Sequence, residues 1–149
     1  MSMFTSFDIN ASGLTAQRYR MDVISENVAN ANTTRTADGT PYRRKVVTFA
    51  QKGDNTQFSK VLNKAMDHGY SGQGVKVVRV SEDYKTDLKM VYDPSHPDAD
   101  ENGYVTYPNV NIVSEMTDLI DASRAYEANA TAFSASKNIV QQGLQLISK

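Results

Sequence analysis

The chain has 149 residues, 40 % of them hydrophobic, with 16 basic and 17 acidic residues and a net charge of −1. That length suits one domain, and the even charge balance excludes a basic footprint for nucleic acid or a polybasic membrane anchor. Cysteine is absent, which excludes disulfides and thiolate chemistry, and no apolar run approaches the ~20 residues of a membrane span.

The first predicted element is a helix over residues 4–31. Phe4, Phe7, Ala11, Leu14, Met21, Ile24, Val28 and Ala31 keep a three-and-four rhythm with one step of seven. The opening stretch Met1 to Asp8 has neither a charged leader nor a continuous apolar core, so no Sec signal is expected there. Asn30-Ala31-Asn32-Thr33-Thr34 is poor helix material and ends the element, and Asn27, Asn30 and Asn32 are read as capping and turning residues. Thr36 to Pro41 then reads as a turn.

The middle is predicted to be short strands and loops. Lys45–Phe49, Val75–Val80 and Thr86–Tyr92 are the strand candidates. Phe58, Val61, Leu62, Ala65 and Met66 are spaced for one short helix, stopped at His68-Gly69, and Gly72-Gln73-Gly74 reads as a turn. Asp93 to Pro108, with Pro94, Pro97 and Pro108, reads as loop.

The last element is the most telling. Ile112, Met116, Leu119, Ser123, Tyr126, Ala130, Phe133, Lys137, Val140, Leu144 and Ile147 alternate steps of four and three, and all but Ser123 and Lys137 are apolar. No proline or glycine interrupts the run before Gly143. This is one long helix with a narrow seam that needs a partner helix, and Lys137 on the seam is a candidate for setting register. From Ala122 to Ser136 most residues are Ala, Ser or Thr, which suits a helix crowded by others. The fold class is therefore mainly α with a small β-rich middle, the two terminal helices pairing as a coiled coil. The organisation is an N-terminal helix at 1–33, a loop and β-rich middle at 34–110, and a long C-terminal helix at 111–149. With so thin a seam, the terminal helices are expected to order on assembly, in preference to an intramolecular antiparallel hairpin in a stable monomer.

Chemistry has little to build on. His68 and His96 lack a second histidine four residues on, no serine sits in a Gly-x-Ser-x-Gly elbow, and no enzyme activity or cofactor is expected. Asp98-Ala99-Asp100-Glu101-Asn102-Gly103 imitates the first half of a calcium loop. Asn109 stands where the bidentate glutamate belongs, however, and prolines replace the flanking helices, so a polar turn is expected. Two readings of different class remain: a self-assembling structural subunit, and a soluble coiled-coil adaptor or export-related binding protein.

A family resemblance favours the first, and the second stays as the alternative. Ser25-Glu26-Asn27-Val28-Ala29-Asn30-Ala31-Asn32-Thr33 is similar to the Asn-(Leu/Val)-Ala-Asn-x-x-Thr signature of flagellar rod and hook subunits. Pro41-Tyr42-Arg43-Arg44-Lys45, Val91-Tyr92-Asp93-Pro94, Gly103-Tyr104-Val105, Pro108 to Met116 and Ala122 to Asn129 follow in the order seen in rod proteins. Over nearly its whole length the chain resembles the flagellar basal-body rod family, most closely its proximal-rod members. It departs at Thr34-Arg35-Thr36, where many relatives carry a Pro-Gly-type turn, and residues 51–74 match no recognised pattern.

That resemblance implies a structural part. It implies export, without a cleaved Sec signal, through the flagellar type III apparatus. It also implies polymerisation in the periplasm with other copies and other rod proteins into a drive shaft carrying torque from the membrane rotor to the hook. The residues expected to carry subunit assembly are Phe4, Phe7, Leu14, Met21, Ile24, Asn27, Val28 and Asn30 in the first helix. In the last helix they are Met116, Leu119, Arg124, Tyr126, Asn129, Phe133, Val140, Leu144 and Ile147. Arg124, Tyr126 and Asn129 are expected to make polar contacts between subunits, because a charged group in a packed tube needs partners.

Overall fold

The computed structural model describes residues 3–53 and 73–147. Helix α1 spans Met3–Ala29, strands β1 and β2 span Lys45–Gln51 and Val75–Glu82, β3 and β4 span Lys89–Tyr92 and Tyr104–Tyr107, and helix α2 spans Ile112–Ile147. The short helix predicted around Phe58 to Met66, and Gly72 of the predicted turn, lie outside the described residues.

The two helices, of 27 and 36 residues, pair antiparallel within one chain. The structure thus adopts the intramolecular hairpin that the sequence reading set second to ordering on assembly. α2 opens on a good cap: the Asn111 side-chain oxygen accepts the amides of Val113 (3.1 Å) and Ser114 (3.4 Å) while its carbonyl accepts Glu115 N (2.9 Å). α1 closes at Asn30, whose side-chain amide donates to Glu26 O at 2.9 Å and whose Oδ1 receives the Thr33 hydroxyl at 3.2 Å. Beyond it, Thr36 N and Gly39 N close the predicted turn, with Gly39 at φ 76°.

β1 and β2 form an antiparallel pair lying on α1. Lys45, Val47 and Phe49 alternate toward the helix with Val46 and Thr48 outward. The register shifts after Thr48, so that Thr48 faces Arg79 and Phe49 faces Val77. This bulge changes the phase of β2, which turns Val75 and Val77 inward before it and Val80 inward after it while Val78 stays exposed.

The third strand is shorter than its pattern suggests. The Asp83 carboxylate accepts the Lys85 and Thr86 amides and the Thr86 hydroxyl, so Thr86 belongs to a turn and β3 starts at Lys89. The Thr86 hydroxyl, then the Lys85 amide, hold the Asp83 carboxyl below the usual carboxylate range. The predicted loop from Asp93 to Pro108 also needs correction, because its end is β4, paired in register with β3. Tyr-Val-Thr-Tyr has strong strand propensity but is too short to display alternation. The loop between them closes on itself. Asp93 N donates to Gly103 O, Asp100 Oδ1 accepts the amides of Asn102 and Tyr104, and Gly103 turns at φ 80°. The calcium-like run is thus a hairpin turn, and Asp98 points back to the Thr34 hydroxyl at 2.7 Å.

Candidate assembly site

The pairing of α1 with α2 has a regular register. Ser6 Oγ meets Ser136 Oγ at 3.1 Å, the Phe7 and Phe133 rings meet edge to face at 5.1 Å, and Gly13 backs onto Asn129. Further along, Arg20 binds Asp118 at 3.0 Å and Asn27 binds Glu115 at 3.0 Å. The inner face of α2 therefore runs through Glu115, Leu119, Ala122, Tyr126, Asn129, Phe133, Ser136 and Val140, all buried or half-buried. Leu119, Tyr126, Phe133 and Val140 were predicted there. Met116, Lys137 and Leu144 were predicted on the seam too, but they are exposed; at the first two the seam takes the residue before, Glu115 and Ser136. The small members permit the closeness: a Cβ on Gly13 would lie 2.7 Å from Asn129 Oδ1, well inside contact distance.

At the joint where the helices meet the strands, polar side chains interlock. Asn27 is 1 % exposed and uses its whole amide. Its Nδ2 donates to Lys45 O (2.9 Å) and Glu115 Oε2 (3.0 Å), and its Oδ1 accepts the Tyr42 hydroxyl and Lys45 N, both at 2.8 Å. Glu115, also 1 % exposed, receives Arg44 Nε at 2.5 Å. Arg44 reaches on to Asp118 at 3.5 Å, and Arg44 N donates to Asn109 Oδ1 at 2.8 Å. Asn109 Nδ2 donates to Asp83 O and Thr86 O. Lys45 pairs with Glu26. Burial first, and the carboxylates of Glu26, Glu115 and Glu82 after it, push the Tyr42 phenol well above its ordinary value. This joint fixes both helix ends against β1 and against the turn that leads into β3.

Asn27 was read as a helix cap, and that is a correction: it is a tertiary hub joining α1, the strand entry and α2. Asn30 does turn the helix end. Asn129, expected to contact other subunits, packs within the chain on Gly13 and donates to Ala125 O at 2.8 Å. Arg124 is exposed and has no hydrogen bond or ion pair among the described residues, and Tyr126 is half-buried. Ile24 is buried; Phe7, Leu14, Met21 and Val28 are half-buried. Phe4 and Ile147 sit in the two helices, and their side chains lie outside the described set. Sequence reasoning missed Gly13, Arg20, Asn109, Glu115 and Asp118. A glycine in the middle of a helical pattern is itself a signal of close approach, and Gly13 carried it.

α2 also keeps apolar side chains off the seam. Val113, Met116 and Ile120 form a second stripe at its start, and Ile139, Leu144 and Leu146 stand out near its end. Among the described residues no helix is long and apolar enough to cross a membrane, and no cluster of His, Asp and Glu could hold a metal ion.

The terminal segments thus form a helical hairpin that leaves apolar side chains on its outer face, and comparison with known proteins gives its class. Residues 7–35 match the family model described as flagella basal body rod protein, and residues 101–146 match that of the flagellar basal body rod FlgEFG protein C-terminal region. The class is thus the rod proteins of the flagellar basal body. The chain is 47 % identical over 152 aligned residues to the flagellar basal-body rod protein FlgC of Borreliella burgdorferi, covering 99 % of each chain. It is 46 % identical to FlgC of Bacillus subtilis, covering 98 % of this chain and 99 % of that one, and 40 % identical to FlgC of Escherichia coli O157:H7, covering 98 % of each. The chain belongs to the FlgC family of flagellar basal-body rod proteins.

Proposed function

We propose that the chain is a structural subunit of the proximal rod of the flagellum, polymerising with copies of itself and with other rod proteins into the shaft that carries torque from the membrane rotor to the hook. The observation that carries the assembly reading is the outer stripe of α2. Val113 and Met116 are 74 % and 53 % exposed although they stand on the same helix as a well-formed inner seam. Apolar stripes on two sides of one helix suit a helix that has neighbours on both. In this reading the assembly core is residues 1–33 with 111–149, and residues 34–110 are the loop and β-rich part outside it. The chain performs no catalysis in this role and needs no cofactor.

The thinness of the hairpin supports completion by neighbours. Ala31, Tyr42 and Val110 form a small cluster of buried apolar side chains, and most large apolar residues facing between the helices are only half-buried. We infer that the chain is exported in extended form through the flagellar type III apparatus, and that its hairpin, marginally stable in the free chain, is completed by neighbours in the assembled rod. The decisive experiment is quantitative mass spectrometry of membrane-stripped hook–basal bodies. Several detergent-resistant copies per particle are expected. Absence from the particle, with the chain present in cytoplasm or culture fluid, would leave the adaptor reading standing instead.

A further inference from the structure

The turn between β3 and β4 ends on Asn102-Gly103, the one asparagine–glycine pair in the chain. The fold dictates glycine at 103. Its φ is 80°, and a Cβ there would stand 3.0 Å from the Tyr92 ring and 3.2 Å from Pro94 Cβ. The fold does not dictate asparagine at 102. Its backbone amide donates to Asp100 Oδ1 at 2.9 Å, but the residue is exposed and its carboxamide makes no hydrogen bond among the described residues. Asn27, Asn30, Asn109, Asn111 and Asn129, by contrast, all hold their side chains in hydrogen bonds.

A free carboxamide followed by glycine is a reactive pair, because no Cβ on the next residue crowds the approach of its amide nitrogen. Gly103 N attacks Asn102 Cγ and a C–N bond forms. The Cγ–Nδ2 bond breaks, and Nδ2 leaves as ammonia with the proton from Gly103 N. The product is a five-membered succinimide, which water opens at one of its two carbonyls. Opening at Cγ gives aspartate. Opening at the main-chain carbonyl gives isoaspartate, whose backbone runs through the former side chain and is longer by a methylene. No oxidant or reductant takes part.

The folded turn restrains the first step. Gly103 N donates to Asp100 O at 3.0 Å, and Tyr104 N holds the next residue to Asp100 Oδ1 at 2.7 Å. The nitrogen has to leave its bond before it can attack.

We propose that Asn102 is a site of spontaneous deamidation to aspartate and isoaspartate, slow while the β3–β4 turn is intact and faster in the unfolded chain. Isoaspartate lengthens the backbone just before the two amides that share Asp100, so Gly103 and Tyr104 no longer both reach it. It also adds a carboxylate to a turn that already carries Asp98, Asp100 and Glu101. The loop loosens, and with it the bond from Thr34 to Asp98 that ties this hairpin to the segment following α1.

The test is ageing of the purified full chain at mildly alkaline pH, in buffer and in guanidinium chloride, followed by peptide mapping with mass spectrometry. The peptide carrying Asn102 should convert before any other, as paired isoaspartyl and aspartyl forms. Conversion should be about two- to tenfold faster in denaturant, the factor that freeing one hydrogen-bonded amide supplies. Asn102→Gln, whose ring closure needs a larger imide, should stop it without disturbing the fold. Asn102→Asp adds the charge on an unaltered backbone and should keep hydrogen-exchange protection at Gly103 and Tyr104, which the isoaspartyl chain loses. The proposal is overturned if Asn102 stays intact in denaturant or if another asparagine converts first. Equal rates in buffer and denaturant would overturn it as well, as would full protection of Gly103 and Tyr104 in the isoaspartyl chain.

Discussion

Replacing Asn27 with alanine tests the polar joint directly. The substitution strands the Tyr42 hydroxyl, Lys45 N and Lys45 O, and takes one of two partners from Glu115, which retains Arg44. A buried polar group left without a partner costs about 1–3 kcal/mol. Water entering the vacated space recovers part of this, which leaves a net loss of about 3–4 kcal/mol for the set. A chain of this size has about 5–15 kcal/mol in all, and this one has a small core, so it sits toward the low end. Urea unfolding of the full chain, followed by far-ultraviolet circular dichroism, should show the midpoint collapse or the cooperative transition vanish. Asn27→Asp makes the companion test. It keeps the two acceptor positions but sets a carboxylate about 3.0 Å from Glu115 Oε2. Two like charges at that distance raise the folded-state affinity for a proton, so the folded chain binds more protons than the unfolded one. The damage should therefore ease as pH falls toward the carboxylate range. An Asn27→Ala chain within about 0.5 kcal/mol of the parent would refute the hub, since that is the scale of an ordinary surface change.

Three further predictions concern separate parts of the molecule. Tyr42 has a raised folded-state pKa, so its contribution is complete below the unfolded value near 10 and declines above it, where the unfolded chain sheds a proton that the folded chain keeps. Tyr42→Phe should cost about 1 kcal/mol at neutral pH through the lost bond to Asn27, yet remove up to about 1.4 kcal/mol per pH unit from the alkaline slope. Parallel slopes for the two chains above pH 10 would count against the buried phenol. Gly13→Val should push α1 away from Asn129 and lower stability by about 1–3 kcal/mol, as overpacking does, and a neutral outcome in denaturant melts would place the helices farther apart than the structure has them. Arg124→Ala should leave the unfolding midpoint unchanged and secretion intact but reduce incorporation into basal bodies, measured by mass spectrometry; normal motility would argue against an intersubunit role for this exposed guanidinium.

What was legible in the sequence was whatever repeats. Both helices, β1 and β2 follow from periodicity of apolar residues, and the helix ends follow from Asn-rich and Gly-containing turns. What was not legible depended on distant residues. Asn27 lies near the end of α1, where an asparagine reads as a cap, but its partners are 15, 18 and 88 positions away. Glu115 in the first turn of α2 reads as a carboxylate complementing the helix dipole, and nothing local indicates that Arg44 and Asn27 bury it. Arg44 did stand in a stretch singled out by family resemblance, so the resemblance marked the joint although it did not reveal its geometry. β4 escaped because four residues between two loops show no period.

The seam of α2 explains why its prediction was right in four places and displaced at Met116, Lys137 and Leu144. Apolar periodicity locates the mean direction of hydrophobic side chains, and α2 has two such directions. Leu119, Tyr126, Phe133 and Val140 point inward, while Met116, Leu144 and the exposed Val113 and Ile120 point elsewhere. A single stripe drawn through both sets falls between them. The true inner seam interleaves its large residues with Glu115, Ala122, Asn129 and Ser136, none of which weighs on a hydropathy pattern. Those positions are small or polar because they lie at the closest approach of the helices or at the joint. Gly13 meets Asn129, Ser6 meets Ser136, and Asn27 meets Glu115. Large side chains there would separate the helices, and purely apolar ones would let the pair slide. The displacement of the seam is therefore informative about function. It measures how much of the apolar surface of α2 the chain withholds from its own core, and that withheld surface is what an assembling subunit has to offer its neighbours.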